Sequence, residues 1–419
     1  MRMTGGRLGI LGLAGLLLAA GCTSASRPTG QQDSGRQGTD PDRSPVVTSA
    51  EPSSAAATPF ALTVTPSPGQ QGVSPTRPVV VRADGGRVTT VRVASSEGRL
   101  VRGRLSADGA VWTSTEPLGY GRRYTVTAAA QGGGRTARAS SAFITVAPAR
   151  LAYPSFYPPP SMRTVGVGQP LAVIFSSPVR DRAAAERALS VQTEPAVIGS
   201  WYWFDDRTVH YRPRQYWQPG TRITLRAGVY GVDLGGGLYG ETDRETTLTI
   251  GRSKIAVIDD RTKQMVVHVD GKKVLTAPVS MGRPGSVTVN GKKISFRTQS
   301  GIHVAQEKYA VKQMSSATYG LPTDAALGYD SRIPLAVRIS NSGEFVHSAP
   351  WSVADQGRRN VSHGCVNLPP RAAEWFYRNF GYGDVVDIRN TGATLRADDG
   401  FGDWNIPWDR WTAGSALRR

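Results

Sequence analysis

Residues 345–368 read Phe-Val-His-Ser-Ala-Pro-Trp-Ser-Val-Ala-Asp-Gln-Gly-Arg-Arg-Asn-Val-Ser-His-Gly-Cys-Val-Asn-Leu, with two histidines close to Cys365. A thiolate is a nucleophile, and a neighbouring imidazole can accept its proton and return it to a leaving amine. Gly364 lets the backbone turn sharply beside the sulfur, where N–H groups can stabilise an oxyanion. The stretch predicts a cysteine nucleophile with a histidine base; the alternative is a buried, inert thiol.

The residues alone leave two questions about this site open. His347 lies 18 residues before Cys365 and His363 lies two before it, so spacing does not choose the base. A zinc site is a second reading, because His303 and these three residues are all types that bind zinc. No CxxC or HExxH spacing is present, and a thiolate can transfer acyl groups without a metal. We therefore expect no metal and no cofactor.

The run Ser362-His363-Gly364-Cys365-Val366-Asn367, preceded by His347-Ser348-Ala349-Pro350-Trp351, resembles the catalytic signature of the L,D-transpeptidases, whose catalytic domain is of the YkuD type. The likeness covers roughly residues 253–391 and extends upstream through Met314, Tyr319-Gly320 and Gly328-Tyr329. With two immunoglobulin-like domains before it, the chain is similar to the actinobacterial lipoprotein members of that family.

The resemblance implies a role for each matching residue. Cys365 would be the nucleophile, His347 rather than His363 the base, and the Ser348 carbonyl the group that orients the imidazole. Backbone N–H groups near Cys365 and Tyr329 would form the oxyanion hole, with Tyr329 on a lid over the acyl-donor pocket. The other substrate-binding residues that we expect are Met314, Tyr319, Trp351, Ser362, His363, Gly364 and Asn367.

Three of these residues have more specific expectations. Ser362 and Asn367 are predicted to hold the turn through side-chain to backbone hydrogen bonds. His363 is predicted to be a structural or acceptor-side hydrogen bonder.

The segment that carries the signature reads as mostly β. Asn290-Gly291 is a strong hairpin signal, and residues 369–381 predict a short helix that starts at proline and stops at glycine. We assign residues 252–391 to a β-rich catalytic domain. Residues 392–419, with Trp404, Trp408 and Trp411, are expected to pack on it as a tail, glycan binding being the alternative.

The middle of the chain predicts two tandem immunoglobulin-like β-sandwiches, at residues 60–148 and 149–251. Short β-rich runs are separated by Gly, Pro and Asp, as in sandwich proteins. The pattern from Asp108 to Val126 returns from Asp206 to Leu225, with a period of about one sandwich. The predicted fold class is therefore mainly β, and rigid spacing or docking is the expected role of both sandwiches.

Residues 1–22 have the features of a signal peptide. Two arginines precede an uncharged run from Leu8 to Ala20, which is shorter than the roughly 20 residues that cross a bilayer. Small residues before Cys22 resemble a lipobox, which implies lipidation at Cys22 and an exported lipoprotein facing the cell wall; simple cleavage or a retained anchor are the alternatives. Residues 23–59 are poor in large apolar side chains and predict a disordered linker.

Composition excludes several classes of protein. The chain has 419 residues and only two cysteines, so a disulfide scaffold is excluded. Its hydrophobic fraction of 39% is too low for a polytopic membrane protein. The net charge of +18 suits anionic wall polymers or phospholipid headgroups, or simply a soluble basic surface. An exported chain without a basic–aromatic motif is not expected to bind nucleic acid.

The predicted function, with substrate and link taken from the resemblance, is peptidoglycan 3→3 cross-linking. Cys365 would form a thioester with a tetrapeptide stem, D-Ala would leave, and an amine of a second stem would attack. Carbapenem β-lactams would acylate the same sulfur. An L,D-carboxypeptidase is the main alternative, and a non-catalytic wall-binding lipoprotein is the alternative from another class. A sortase is disfavoured by the short spacing between His347 and Cys365.

Overall fold

The computed structural model describes residues 60–417, so the predicted signal peptide and linker lie outside the described residues. The protein is mainly β, with 46% strand and 9% helix, which confirms the predicted class. Within residues 60–417, no helix is both long enough and apolar enough to span a membrane.

The first sandwich is built from seven strands whose side chains alternate between the core and the solvent. One sheet has the order β1-β2-β5-β4 and the other β3-β6-β7. Val81, Val126 and Phe143 are at most 1% exposed and fill the space between the two sheets. The strands are β1 (Ala61–Thr65), β2 (Val80–Asp84), β3 (Arg87–Ser95), β4 (Gly103–Leu105), β5 (Val111–Ser114), β6 (Arg123–Gly132) and β7 (Arg135–Ile144).

The second sandwich has ten strands and one short helix. They are β8 (Arg150–Ala152), β9 (Pro154–Tyr157), β10 (Thr164–Val165), β11 (Leu171–Phe175), α1 (Arg182–Arg187), β12 (Leu189–Glu194), β13 (Gly199–Trp203), β14 (Thr208–Pro213), β15 (Arg222–Ala227), β16 (Leu238–Gly240) and β17 (Arg244–Ile250). Its main sheets have the orders β13-β14-β11-β9 and β10-β17-β15-β12. Helix α1 was not predicted; the Asp181 carboxylate caps it by accepting from the Ala184 N–H at 2.8 Å.

The sequence repeat corresponds to the same structural step in both sandwiches. In the first, it runs from β5 in one sheet to β6 in the other. In the second, it runs from β14 to β15, again between the two sheets. The repeat therefore encodes the crossover that closes each sandwich.

The segment that follows contains two sheets and a hairpin. A five-stranded sheet has the order β20-β19-β18-β28-β23, and a four-stranded sheet has the order β24-β25-β26-β27. Strands β21 and β22 form the hairpin predicted at Asn290-Gly291, and both turn residues have positive φ as a type I′ turn requires. The strands are β18 (Lys254–Asp259), β19 (Gln264–Val269), β20 (Lys272–Pro278), β21 (Ser286–Val289), β22 (Lys292–Ser295), β23 (Gly301–Val304), β24 (Lys308–Ser315), β25 (Asp330–Arg338), β26 (Phe345–Ser348), β27 (Val366–Leu368) and β28 (Val385–Arg389).

The predicted helix is present as α2 (Pro370–Asn379). Its apolar side, including Phe376, packs with Phe380 and Val366 in one core that both sheets share. Short 3-10 helices occur at Ser316–Tyr319, Pro350–Ser352 and Gly402–Asn405, and the last helix is α3 (Trp408–Ala413).

The C-terminal tail corrects one expectation, because much of it packs on the second sandwich rather than on the catalytic segment alone. The Arg212 guanidinium lies over the rings of Trp404, Trp408 and Trp411, at 4.4–5.4 Å from their centroids. The Trp411 indole N–H donates to the Ser200 carbonyl at 2.9 Å. Contacts with the catalytic segment are also present, such as the Asn405 side chain on the backbone of residue 302.

Residues 58–419 form one compact unit. The Tyr120 hydroxyl donates to the Gly240 carbonyl, and the Tyr230 hydroxyl to the Leu118 carbonyl, so the two sandwiches are joined by reciprocal hydrogen bonds. The Gly166 N–H donates to the Tyr382 carbonyl at 2.8 Å and joins the second sandwich to the catalytic segment.

Candidate active site

Two adjacent strands bring the central residues of the site together. Strands β26 and β27 are parallel neighbours, and His347 pairs in register with Asn367. Cys365 immediately precedes β27 and lies beside Phe345 on the neighbouring strand, two residues before His347. Cys365 and His347 line a cavity of about 600 Å³, which six more predicted site residues also line: Met314, Tyr329, Trp351, Ser362, His363 and Asn367.

His347 is held in one tautomer. Its Nδ1 lies 2.9 Å from the Ser348 carbonyl oxygen, the contact that the family resemblance implied. A carbonyl only accepts, so Nδ1 carries the hydrogen and Nε2 is left as the proton acceptor. The side chain is buried, which lowers the pKa of His347 to about 4. The ring is stacked on Trp351 with centroids 6.0 Å apart, and Trp351 covers its solvent side.

Cys365 is a protonated thiol at rest. Burial is the main cause that raises its pKa to about 12, and the Glu344 carboxyl also contributes. The sulfur lies 3.8 Å from the Gly343 carbonyl, and no hydrogen bond to His347 is present among the described residues. The resting site therefore holds a neutral thiol and a neutral imidazole.

The turn before Cys365 is fixed by side chains. The Ser362 hydroxyl donates to the Cys365 carbonyl at 2.6 Å and accepts from the Gly364 N–H at 3.1 Å, as predicted for Ser362. Gly364 has φ +132°, which L-residues with a side chain rarely adopt. Thr298, which sequence reasoning missed, donates to the Gly364 carbonyl at 2.7 Å. An isolated threonine 67 residues upstream carries no sequence signal for this role.

Asn367 differs from the expectation. Its side chain donates to the Ser352 hydroxyl at 3.0 Å instead of holding the 362–365 turn. Its backbone pairs with Ser280. Ser352 follows the stacked Trp351, so Asn367 ties the segment after His347 to strand β27.

The expected oxyanion hole needs one correction. The Tyr329 N–H donates to the Ser316 hydroxyl at 3.0 Å, so it is already engaged. The Gly364 N–H is also engaged, by Ser362. The Cys365 N–H has no hydrogen-bond partner within residues 60–417 and is the donor that remains.

A second cavity of about 330 Å³ also has Cys365 in its wall. Gly364 and Tyr319 line it, and Tyr329, His363 and Cys365 line both cavities. His363 lies between the rings of Tyr329 and Phe296, each with its centroid 5.0 Å away. Cys365 thus borders two cavities, and Tyr329 and His363 border both of them as well.

The surroundings of His363 lower its pKa. Burial and then the Arg283 guanidinium lower the pKa of His363 to about 4. Its Nε2 has no hydrogen-bond partner within the described part of the chain. Arg283 was not predicted; its guanidinium donates to the carbonyls of Val361 and Ser362 and so braces the approach to the turn.

Glu344, which was not predicted, lies near the cysteine and faces the buried His303. Glu344 is 6% exposed, and burial raises its pKa to about 8. His303 is fully buried, which lowers its pKa, and its Nδ1 lies 3.8 Å from the Glu344 carboxylate. His303 thus faces Glu344 and backbone carbonyls rather than the other zinc-type residues. Within residues 60–417, no group of three or more His, Cys, Asp or Glu side chains is arranged to hold a metal ion.

Comparisons with known proteins identify two matching families and several similar proteins. The family described as L,D-transpeptidase catalytic domain matches residues 253–388, and the one described as Bacterial Ig domain matches residues 70–233. A solved structure of an LD transpeptidase in complex with imipenem is 32% identical, with a TM-score of 0.48, and covers 57% of this chain and 100% of that one.

Two curated relatives cover most of the sequence. L,D-transpeptidase 2 of Mycobacterium tuberculosis is 44% identical over 86% of this chain and 87% of its own length. L,D-transpeptidase 5 of the same organism is 36% identical over 85% of this chain and 77% of its own. On this similarity, and with the catalytic-domain match, the chain belongs to the L,D-transpeptidase family and is an L,D-transpeptidase.

Proposed function

We propose that this enzyme forms 3→3 cross-links in peptidoglycan through a thioester on Cys365. The observation that carries the proposal is the shared cavity, in which a sulfur and the free Nε2 of an oriented His347 face the same space. The substrate is a tetrapeptide stem, and the bond broken is the amide between its third residue and D-Ala.

The first half-reaction follows from the resting protonation states. As the Cys365 sulfur attacks the amide carbonyl, its proton passes to Nε2 of His347. The Cys365 N–H is the backbone donor available to the oxyanion. Collapse of the tetrahedral intermediate breaks the C–N bond, and the imidazolium returns the proton to the amine of D-Ala as it leaves. The thioester remains on Cys365.

The second half-reaction uses a second stem as the acceptor. Its side-chain amine attacks the thioester carbonyl, and His347 takes the proton of that amine. The C–S bond breaks and the sulfur recovers a proton from His347. Two cavities that share Cys365 in their walls suit two substrates, so donor and acceptor can occupy the site without exchanging places.

Water can replace the acceptor amine, which would make the enzyme an L,D-carboxypeptidase. Both reactions share the thioester, so only the products separate them. Purified enzyme would be incubated with disaccharide-tetrapeptide and the products analysed by mass spectrometry. We expect a cross-linked dimer with release of D-Ala. Free tripeptide without dimer would replace the proposal with the hydrolytic one.

Carbapenem β-lactams are proposed as covalent inhibitors. The sulfur would attack the β-lactam carbonyl, the ring C–N bond would open, and the ring nitrogen would take the proton. Intact-protein mass spectrometry is expected to show one adduct with the mass of the whole drug, absent from Cys365→Ala. An adduct that persists in that variant would refute the assignment of Cys365.

The location is proposed from the first 59 residues. The signal peptide and the lipobox-like residues before Cys22 support export, lipidation at Cys22 and attachment to the outer face of the cell membrane. Metabolic labelling with a fatty acid is expected to mark the wild type and not Cys22→Ala. Equal labelling of both would contradict it.

A further inference from the structure

The outer face of sheet β3-β6-β7 in the first sandwich has an unusual charge pattern. These three strands contain five arginines and no Lys, Asp or Glu. Arg92, Arg123 and Arg138 are exposed, one on each strand. Across the strands they face Thr127, Ile144 and Ala129. None of the three makes a side-chain hydrogen bond or an ion pair with any residue that the structure describes.

In the second sandwich, by contrast, arginines on the outer face of a sheet lie opposite glutamates. Arg222 faces Glu194 across the strands, and Arg226 faces Glu245. Opposite charges placed directly across a sheet neutralise each other and contribute modestly to stability. The first sandwich lacks this compensation, so its arginines are not explained by the stability of the sheet.

The charge is also concentrated in the first sandwich as a whole. Residues 60–148 contain eleven arginines against two aspartates and two glutamates, a net charge of +7. Residues 149–251 contain the same number of arginines against nine acidic residues, a net charge of +2. Two of the four acids of the first sandwich, Glu97 and Glu116, are paired with Arg122 and Arg102, outside the outer face.

The chemistry of this face suits phosphate. A guanidinium offers a planar fork of N–H donors that matches two phosphate oxygens, and all the cations here are arginines. The residues between them are small and often hydroxylated: Thr90, Thr125, Thr127, Ala129, Thr136 and Ser140. The large apolar side chain on this face, Ile144, faces Arg123 across the strands and is only partly exposed. The face is therefore a shallow array of phosphate-binding groups.

We propose that this arginine face, defined by Arg92, Arg123 and Arg138, docks on the phosphate headgroups of an anionic phospholipid membrane. A broad face without a groove fits a planar surface better than a single polymer chain. The first sandwich is also the folded part nearest to Cys22, separated from it by residues 23–59. A flexible linker of 37 residues, as the sequence predicts there, would span roughly 35 Å and would hold the face of an anchored chain near the bilayer.

The docking surface does not depend on the transpeptidase mechanism. Its affinity rests on the arginines, and its position near the membrane rests on the proposed lipidation. Each basic residue near an anionic membrane strengthens binding about fivefold, so the three arginines together should strengthen membrane binding by about two orders of magnitude.

The test uses residues 23–419, which contain the whole compact unit, and vesicles that sediment. The wild type is expected to bind vesicles of phosphatidylcholine with 30% phosphatidylglycerol, not pure phosphatidylcholine, and to be released by salt. The triple change Arg92→Gln, Arg123→Gln, Arg138→Gln should weaken binding about 100-fold. The control is a second triple change on the second sandwich, Arg187→Gln, Arg222→Gln, Arg226→Gln. It removes the same charge and should change vesicle binding less than threefold.

A second set of variants keeps the test informative if the first set folds poorly. Replacing the same three residues by lysine preserves the charge and should retain most of the binding. Equal losses in the two glutamine triples would overturn the proposal, because total charge would then explain the binding. Binding to soluble polyphosphate without binding to the vesicles would overturn it in favour of a wall polymer.

Discussion

At the scale of single residues, the site combines a nucleophile and a base that are both neutral at rest. Burial lowers the pKa of His347 to about 4 and raises that of Cys365 to about 12. The enzyme therefore stores no thiolate that oxidants or alkylating agents would attack. In the proposed mechanism, reactivity arises when a bound carbonyl receives the sulfur of Cys365 as Nε2 of His347 receives the proton.

This state predicts an unusual pH profile. The rate of acylation by a donor stem should stay nearly constant from about pH 8 to pH 5 and fall as His347 is protonated near pH 4. A stopped assay from pH 3.5 to 8, with circular dichroism at each pH, measures it. A midpoint near the ordinary imidazole value of 6.5 would contradict the buried, neutral base.

The same pKa shift affects stability. Between about pH 4 and pH 6.5, the unfolded chain binds a proton at residue 347 that the folded chain excludes, so the free energy of unfolding falls as the pH drops. This contribution is absent above the ordinary imidazole pKa. The loss of stability at low pH must be distinguished from the loss of activity that protonation of His347 causes. Circular dichroism at each pH makes this distinction, because it reports unfolding.

Thr298 is predicted to support the nucleophile from behind. Its hydroxyl donates to the Gly364 carbonyl and accepts from the Gly282 N–H at 2.8 Å, in a fully buried position. Thr298→Val keeps the shape and removes both bonds, which should cost about 1–3 kcal/mol of unfolding free energy and slow acylation. Urea unfolding and single-turnover kinetics measure the two effects. Thr288→Val, on the exposed hairpin, is the control and should change neither.

At the scale of elements, the sequence predicts strands better than it predicts contacts. Strands β11 and β18 form from short β-rich runs of the kind that the sequence predicts, and Asn290-Gly291 forms its hairpin. These signals are local, because they depend on alternation and turn chemistry. The family resemblance similarly gave the hydrogen bond between His347 and the Ser348 carbonyl.

What the sequence could not give depends on residues that meet only after folding. Thr298 and Glu344 reach the cysteine from distant segments, and neither belongs to the signature around Cys365. The packing partner of the C-terminal tail is a similar case. Three tryptophans without helical or strand spacing predict that the tail packs on the protein. They do not predict that Arg212 of the second sandwich lies over all three rings.

The tail gives a prediction at this scale. Trp411 is fully buried, bonds to the Ser200 carbonyl and stacks on Tyr202. Trp411→Ala should cost about 3–5 kcal/mol of stability, as expected for a large core truncation. Trp351→Ala removes the same side chain at a 59% exposed position and should slow acylation with little change in stability. Thermal unfolding of both variants is the measurement. Similar melting temperatures would show that the packing of α3 does not stabilise the second sandwich.

At the scale of the whole molecule, glycine contacts join the second sandwich to the catalytic domain. A Cβ on Gly166 would lie 2.3 Å from the backbone of Gly383, so no side chain fits there. Gly166→Ala should therefore loosen the junction while leaving the catalytic cavity intact.

Limited proteolysis between residues 251 and 254 and carbapenem acylation would be compared in this variant. We expect faster cleavage and unchanged acylation. Gly381→Ala, in the neighbouring loop with open space around it, is the matched control and should behave as the wild type. Loss of acylation in Gly166→Ala would mean that the sandwich shapes the active site itself.

The central claim is that Cys365 captures the stem carbonyl with His347 as its base. The direct test is to mix the enzyme with a tetrapeptide donor and quench the reaction in acid within seconds. Peptide mapping by mass spectrometry then locates the acyl group. We expect an adduct on Cys365 with the mass of the donor minus D-Ala. The adduct should be absent in Cys365→Ala and should form far more slowly in His347→Ala. Release of D-Ala at the wild-type rate by either variant, or an adduct on another residue, would contradict it.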